Sequence, residues 1–263
     1  MIVRALIVAA CTSLLTGLAQ ADGAAVHAAG SLKSVFTQLG KIYAEQGGAA
    51  PRFEFGPSGV LRDRIAGGAK ADVFASANMT HPQTFVDAGK AAKVERFARN
   101  ELCLLVRPGL TVTPESALDA MLARDLKLGV STPKADPAGD YALQMFQRAD
   151  ALRPGIGRAL AARGRQLTGA ADSAKPPEGR NVYAWVVDSG QADLFVTYCT
   201  NSRLARREVP ALQEVTLPPE LAVGADYGLV VLSAPGGEGE RFARFLLSEP
   251  ARKVLAADGF SLP

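Results

Sequence analysis

The chain has 263 residues, 48% of them hydrophobic and only 6% aromatic, enough for one large domain or two lobes with cores of small side chains. Its formal charge of +3 falls to +2 once Arg4, the only charged residue before Asp22, is set aside, and no basic stripe with interleaved aromatics argues for nucleic acid. The two histidines and three cysteines show no metal-ligand spacing, which speaks against a zinc site.

Residues 1–21 read as a signal peptide. Arg4 supplies the positive end, Ala5 to Leu18 is an apolar run too short for a membrane span, and Ala19-Gln20-Ala21 is a small-x-small cleavage site. Val-Ala-Ala precedes Cys11 as in a lipoprotein, but the apolar run continues past it. The mature chain is expected to start near Asp22 and to reside in a bacterial periplasm. Cleavage leaves Cys103 and Cys199, each in a strand-like run, either as a disulfide or as two buried thiols.

Val26–Ala28 reads as a strand that turns at Ala29-Gly30-Ser31 into a helix with Leu32, Val35, Phe36, Leu39, Ile42 and Tyr43 on one face. The stretch 52–79 follows as strand Arg52–Phe55, a Gly-Pro-Ser-Gly turn, helix Val60–Ala66, a Gly-Gly stop and strand Val73–Ala75. A helix is expected from His81 through Ala88, a strand over Leu102–Arg107, a helix from Pro114 to about Ala123 and a strand over Lys127–Val130. The turn Asp136-Pro137-Ala138-Gly139 leads into helix Asp140–Arg148, and Arg153 to Arg163 is expected to be helical. Gly164 to Gly179 reads as a long surface loop. Asn181 caps a helix over Val182–Asp188, strands follow over Leu194–Tyr198, Leu212–Leu217 and Tyr227–Leu232, and helices Arg241–Leu247 and Pro250–Ala257 close the chain. Strands alternating with helices point to an α/β fold with parallel sheets and helices on both faces.

Four of these turns place small or hydroxyl residues just before a helix: Gly30-Ser31, Pro57-Ser58-Gly59, Pro137-Ala138-Gly139 and Arg180-Asn181-Val182. A helix start carries unpaired N–H groups and the positive end of the backbone dipole, so each is a potential anion seat. In open α/β sheets such turns lie at the carboxyl ends of strands. Two facing lobes would aim all four into one cleft. Each hydrogen bond to a charged group contributes about 1.5–3 kcal/mol, and roughly seven would offset much of the dehydration cost of a small dianion.

AAGSL at 28–32, FGPSGVLRDRI at 55–65, GGAKADVFASAN at 67–78, DPAGDYA at 136–142, NVYAWV at 181–186 and DLFVTY at 193–198 resemble the periplasmic molybdate-binding proteins of ABC transporters. The resemblance covers nearly all of the mature chain. It implies a two-lobed α/β periplasmic binding protein fold of type II, with 22–101 and 228–263 in one lobe, 102–227 in the other, and hinge crossings at Leu102–Arg107 and Tyr227–Leu232. It further implies a tetrahedral oxyanion held without a cation by Ser31, Ser58, Ala77, Ala138, Val182 and Tyr198, no cofactor, delivery to an inner-membrane permease, and a monomer. His27 stands where the family has an apolar residue, Asn78 replaces an acid, and Cys199-Thr200-Asn201 follows Tyr198 where Gly is usual. The 164–179 segment is an insertion.

A secreted serine hydrolase is the contrasting class. Gly56-Pro57-Ser58-Gly59-Val60 misses the G-x-S-x-G elbow at Val60, and only His27 and His81 could act as base. A third reading keeps the fold and changes the ligand to another oxyanion or a small organic acid. Sequence leaves molybdate and tungstate undivided, since size and charge are shared.

Overall fold

The computed structural model describes residues 22–263, so the expected signal peptide lies outside the described residues. The first strands, β1 (Ala25–Ala29), β2 (Arg52–Gly56) and β3 (Val73–Ser76), alternate with α1 (Lys33–Glu45), α2 (Ser58–Ala66) and α3 (Thr80–Asp87). β1 lies between β2 and β3, parallel to both. Val26 and Ala28 on one face and His27 and Ala29 on the other are all buried, as befits a strand covered on both faces. On α1 the predicted stripe holds: Val35, Phe36 and Leu39 are buried against the sheet.

β4 runs over Glu95–Val106 and β9 over Gly224–Val231. Between them come α4 (Ala117–Leu122), β5 (Leu128–Ser131), α5 (Pro137–Leu152), α6 (Ile156–Arg163) and β6 (Arg165–Thr168), then α7 (Val182–Asp188), β7 (Leu194–Tyr198), α8 (Cys199–Glu208) and β8 (Gln213–Thr216). Helices α9 (Glu238–Leu246) and α10 (Glu249–Ala257) close the chain against α1. The sheet order is β2-β1-β3-β9-β4-β7-β5-β6, with β8 also paired to β4.

β4 serves both halves of this sheet. Glu95–Glu101 pairs with β9, whereas Leu102–Val106 pairs with β7 on one side and Cys103–Val106 with β8 on the other. The chain leaves the first half through β4 and returns through β9, so the two run in opposite directions, and β9 is antiparallel to β3 as well. The sheet is therefore mixed: parallel around β1 and β5, antiparallel around β4 and β9.

Several elements differ from the sequence reading. β4 begins at Glu95 rather than Leu102, because its charged first half is held by pairing to β9. α5 starts at Pro137 and runs to Leu152. The segment read as a loop from Gly164 contains an edge strand, Arg165–Thr168, parallel to β5. The helix expected from Pro114 is shorter, and α8 after Tyr198 was not expected at all. Its start is tied down by a disulfide between Cys103 on β4 and Cys199. His27 is buried on β1 with Nε2 3.6 Å from Glu54 Oε2 on β2.

One continuous core runs through both halves. Phe36, Phe97, Tyr227 and Phe260 form a chain of ring contacts with centroids 5.5–6.2 Å apart. This packing fixes β9, and with it Tyr227, beneath the loops that follow the parallel strands.

Candidate functional site

The loops after β1, β2 and β3 face the starts of α5 and α7 across a cavity of about 800 Å³. Ser31, Ser58, Ala77, Val182 and Tyr198 all line it. Ala138, the sixth residue named from sequence, does not; it is fully buried on α5, and its neighbour Asp136 lines the cavity instead.

Ser31 sits in the 3-10 turn Gly30–Leu32 that leads into α1. Its Oγ is 2.8 Å from the Tyr227 hydroxyl. Asn100 Nδ2 donates to the same phenol oxygen at 3.3 Å and to Thr200 Oγ1 at 2.8 Å. Asn100 donates to Tyr227, and the Ser31–Tyr227 bond can be donated from either side; with Tyr227 as its donor, the Ser31 proton is left for the cavity.

Ser58 is the first residue of α2 and only 1% exposed. Its Oγ accepts from the Ala77 amide at 3.1 Å, so this hydroxyl too keeps its proton for a ligand. Ala77 meanwhile offers the cavity edge no free amide. On the opposite side Asn181 caps α7 by accepting from Tyr183 and Ala184 at 3.0 Å each, and among the described residues nothing takes the Val182 amide. Tyr198 ends β7 and donates a long bond, 3.4 Å, to the Ala77 carbonyl. Burial, with Tyr227 and Asp136 nearby, pushes its phenol well above the ordinary range, so it is a neutral donor.

The two sides touch. Gly59 on α2 donates from its amide to Ala135 O at 2.8 Å, just ahead of α5. A Cβ on Gly59 would lie 2.3 Å from Lys134 O, so only glycine permits this approach. The loop Lys134–Ala135 is itself held in an unusual conformation, with Lys134 at φ 68°.

Two features of the cavity were not legible in the sequence. Thr168 to Pro176, from β6 into the segment that follows it, forms part of its wall, and the basic residues Lys33, Lys175 and Arg180 line it as well. Arg180 is anchored by Asp188 at 3.1 Å and by Glu208. By contrast Arg62 and Arg64 near Ser58 engage Asp63, His81 and Glu54 rather than the cavity. Asp72 accepts from the Ala25 amide at 2.7 Å.

Among the described residues no histidine lines the cavity beside Ser58. His27 faces Glu54, and His81 lies on α3 with Nδ1 3.0 Å from Arg62. Burial and Arg62 lower the His81 pKa to about 4. Neither lines the cavity.

Among the described residues no helix is long and apolar enough to cross a membrane. A Pasteurella multocida protein of uncharacterised function is 36% identical over 210 residues, covering 80% of this chain and 87% of its own. The molybdate-binding protein ModA of Mycobacterium bovis is 26% identical over 242 residues, covering 90% and 84%. Two solved structures share the fold. The periplasmic molybdate-binding protein of Azotobacter vinelandii superposes with TM-score 0.72 at 21% identity over 91% of this chain and 99% of its own. The sulfate-binding protein SubI of Mycobacterium tuberculosis gives 0.74 at 18% over 92% and 87%. Matched over residues 24–261, the chain belongs to the bacterial extracellular solute-binding protein family and is a ModA-like substrate-binding protein with the periplasmic binding protein fold.

Proposed function

We propose that the chain captures molybdate or tungstate between two lobes and delivers it to an ABC permease in the inner membrane. One observation carries this reading: neutral donors from both halves of the sheet, the hydroxyls of Ser31 and Ser58 and the amide of Val182, meet in a single cavity that Tyr198 also lines. Sequence kinship to ModA supports the choice of anion. The first lobe comprises 22–101 and 228–263 and the second 102–227, with the crossings in β4 and β9. Ser31 and Ser58 come from the first lobe, Val182 and Tyr198 from the second, so closure assembles the site. The contact of Gly59 with Ala135 is its latch.

A second reading keeps the site and changes the ligand to another oxyanion or a small organic acid. The size of the cavity and its basic lining, Lys33, Lys175 and Arg180, favour it, since a four-oxygen ion fills only a corner of about 800 Å³. The structural likeness to a sulfate-binding protein is as close as that to a molybdate-binding one. Calorimetric titration of the purified chain with molybdate, tungstate, sulfate and phosphate tests the reading. Saturable binding of the first two, with weaker sulfate, is expected; preference for sulfate or phosphate would replace the first reading by the second.

A further inference from the structure

Asp136 is the charged residue at the site that a cage of neutral donors does not use. It is the N-cap of α5, and it lines the same cavity as Ser31, Ser58, Val182 and Tyr198. Its Oδ1 accepts from the Ala138 amide at 3.1 Å, the amide that the family resemblance gives to the anion. Its other oxygen lies over the backbone of Gly169, where a Cβ would come within 3.0 Å of Oδ2.

Among the described residues this carboxylate has no partner cation. Asp140 lies one turn along α5, with its own carboxylate accepting from the Lys134 amide at 2.9 Å. Ser131 of β5 offers a hydroxyl, and Tyr183 of α7, Tyr198 of β7 and Tyr227 of β9 are near enough to feel the charge. Of the basic residues in the cavity, Arg180 is committed to Asp188 and Glu208, while Lys33 and Lys175 are exposed.

A carboxylate oxygen only accepts, and so does every oxygen of a bare tetrahedral dianion. Two such groups sharing one recess cannot meet without a proton between them, which is why paired carboxylates hold one. We propose that Asp136 is a ligand-contacting residue that shares one proton with the bound anion, an inference that rests on the oxyanion reading above. With a bare oxyanion the proton comes from water: Asp136 takes it up on binding, donates O–H to an anion oxygen, and keeps the Ala138 amide on its carbonyl oxygen. With an anion that carries its own hydroxyl, that hydroxyl donates to the ionised Asp136 and no proton is taken up. Burial already pushes the Asp136 carboxyl above its ordinary value, against the Ala138 amide and the Ser131 hydroxyl and with help from Asp140.

The test is calorimetric titration with tungstate from pH 6.5 to 9, in buffers of different ionisation enthalpy, on the intact chain and on Asp136→Asn. Asn is as good an N-cap as Asp, so the variant retains α5. The intact chain is expected to take up about one proton per tungstate at pH 8 and to lose about tenfold in affinity per pH unit above it. Asp136→Asn brings its own N–H donor, so it binds tungstate more tightly at pH 8, without uptake and with a flat profile. If phosphate, which carries a hydroxyl at pH 8, binds without uptake and weakens in Asp136→Asn, the proton comes from the ligand and the proposal stands. Tungstate binding by the intact chain without uptake and without pH dependence overturns it while leaving the oxyanion reading in place. Failure of both proteins to bind any of the four anions at any pH overturns both.

Discussion

Replacing Gly59 by alanine separates closure from folding. The new Cβ would sit 2.3 Å from Lys134 O and 2.8 Å from Ala135 O, where a normal contact needs at least about 3.2 Å. Relief requires the second half to retreat by roughly 1 Å, which stretches the 2.8 Å bond from the Gly59 amide to Ala135 O beyond useful range. A lost hydrogen bond costs about 0.5–1.5 kcal/mol and overpacking about 1–3 kcal/mol. Because the halves can part rather than strain, the lower sums apply, and about 2 kcal/mol weakens anion binding roughly thirtyfold. Within α2 itself alanine is the better helix former by about 1 kcal/mol, so the unliganded protein should melt no earlier than the parent. Calorimetry gives the affinity, thermal melts the stability, and small-angle scattering the compaction on adding tungstate. A variant that binds within twofold of the parent and compacts equally would refute the idea that this contact latches the closed form.

Ser58→Ala should leave the fold nearly intact, removing one acceptor for the Ala77 amide, and weaken tungstate binding at least tenfold by calorimetry. Tyr227→Phe strips the hydroxyl bonded to Ser31; a fall in affinity of about fivefold, with chemical stability lowered by about 1 kcal/mol, is expected from titration and urea melts. Cys103 and Cys199 close a loop of 96 residues, so reduction or Cys103→Ala should cost about 4–5 kcal/mol in urea unfolding. His81 is neutral in the fold because its pKa is lowered to about 4, so its contribution is fully present above about pH 6.5, the unfolded value, and is lost as pH falls toward 4. NMR should show no titration of its ring above pH 5, and His81→Phe should reduce the loss of stability over that window.

Much of the site was readable because it is built from local sequence. Asn181 before Val182 reads as a cap wherever it occurs, and the strand Leu194–Tyr198 is an unbroken apolar run ending in a hydroxyl. The motifs around Ser31 and Ser58 likewise fix turn, cap and helix within a few residues. What escaped depends on partners far along the chain. The first half of β4 is ERFARNE, too charged to read as a strand until β9 lies beside it. Arg165–Thr168 has no apolar alternation and exists as a strand through its pairing with β5. α8 has few apolar residues and is fixed by the disulfide and by packing beneath β4 and β8. Asp136 carried a signal for a helix cap, and the sequence read it as a turn; that it lines the cavity follows only from the meeting of both halves. The parallel expectation held for the βαβ units and failed at the two strands that cross between halves, whose direction is set by where the chain must go next.

The segment from Thr168 to Pro176 hangs from the terminal strand of the sheet, yet it walls the chamber where cargo would rest. Thr168 is tied to β5 and its loop, but from Ala170 onward the residues pair with no strand, so they can be exchanged without rebuilding the scaffold beneath. Cargo preference in such a molecule can drift through a rim that the framework barely notices, and swapping this rim is the economical route to retargeting it.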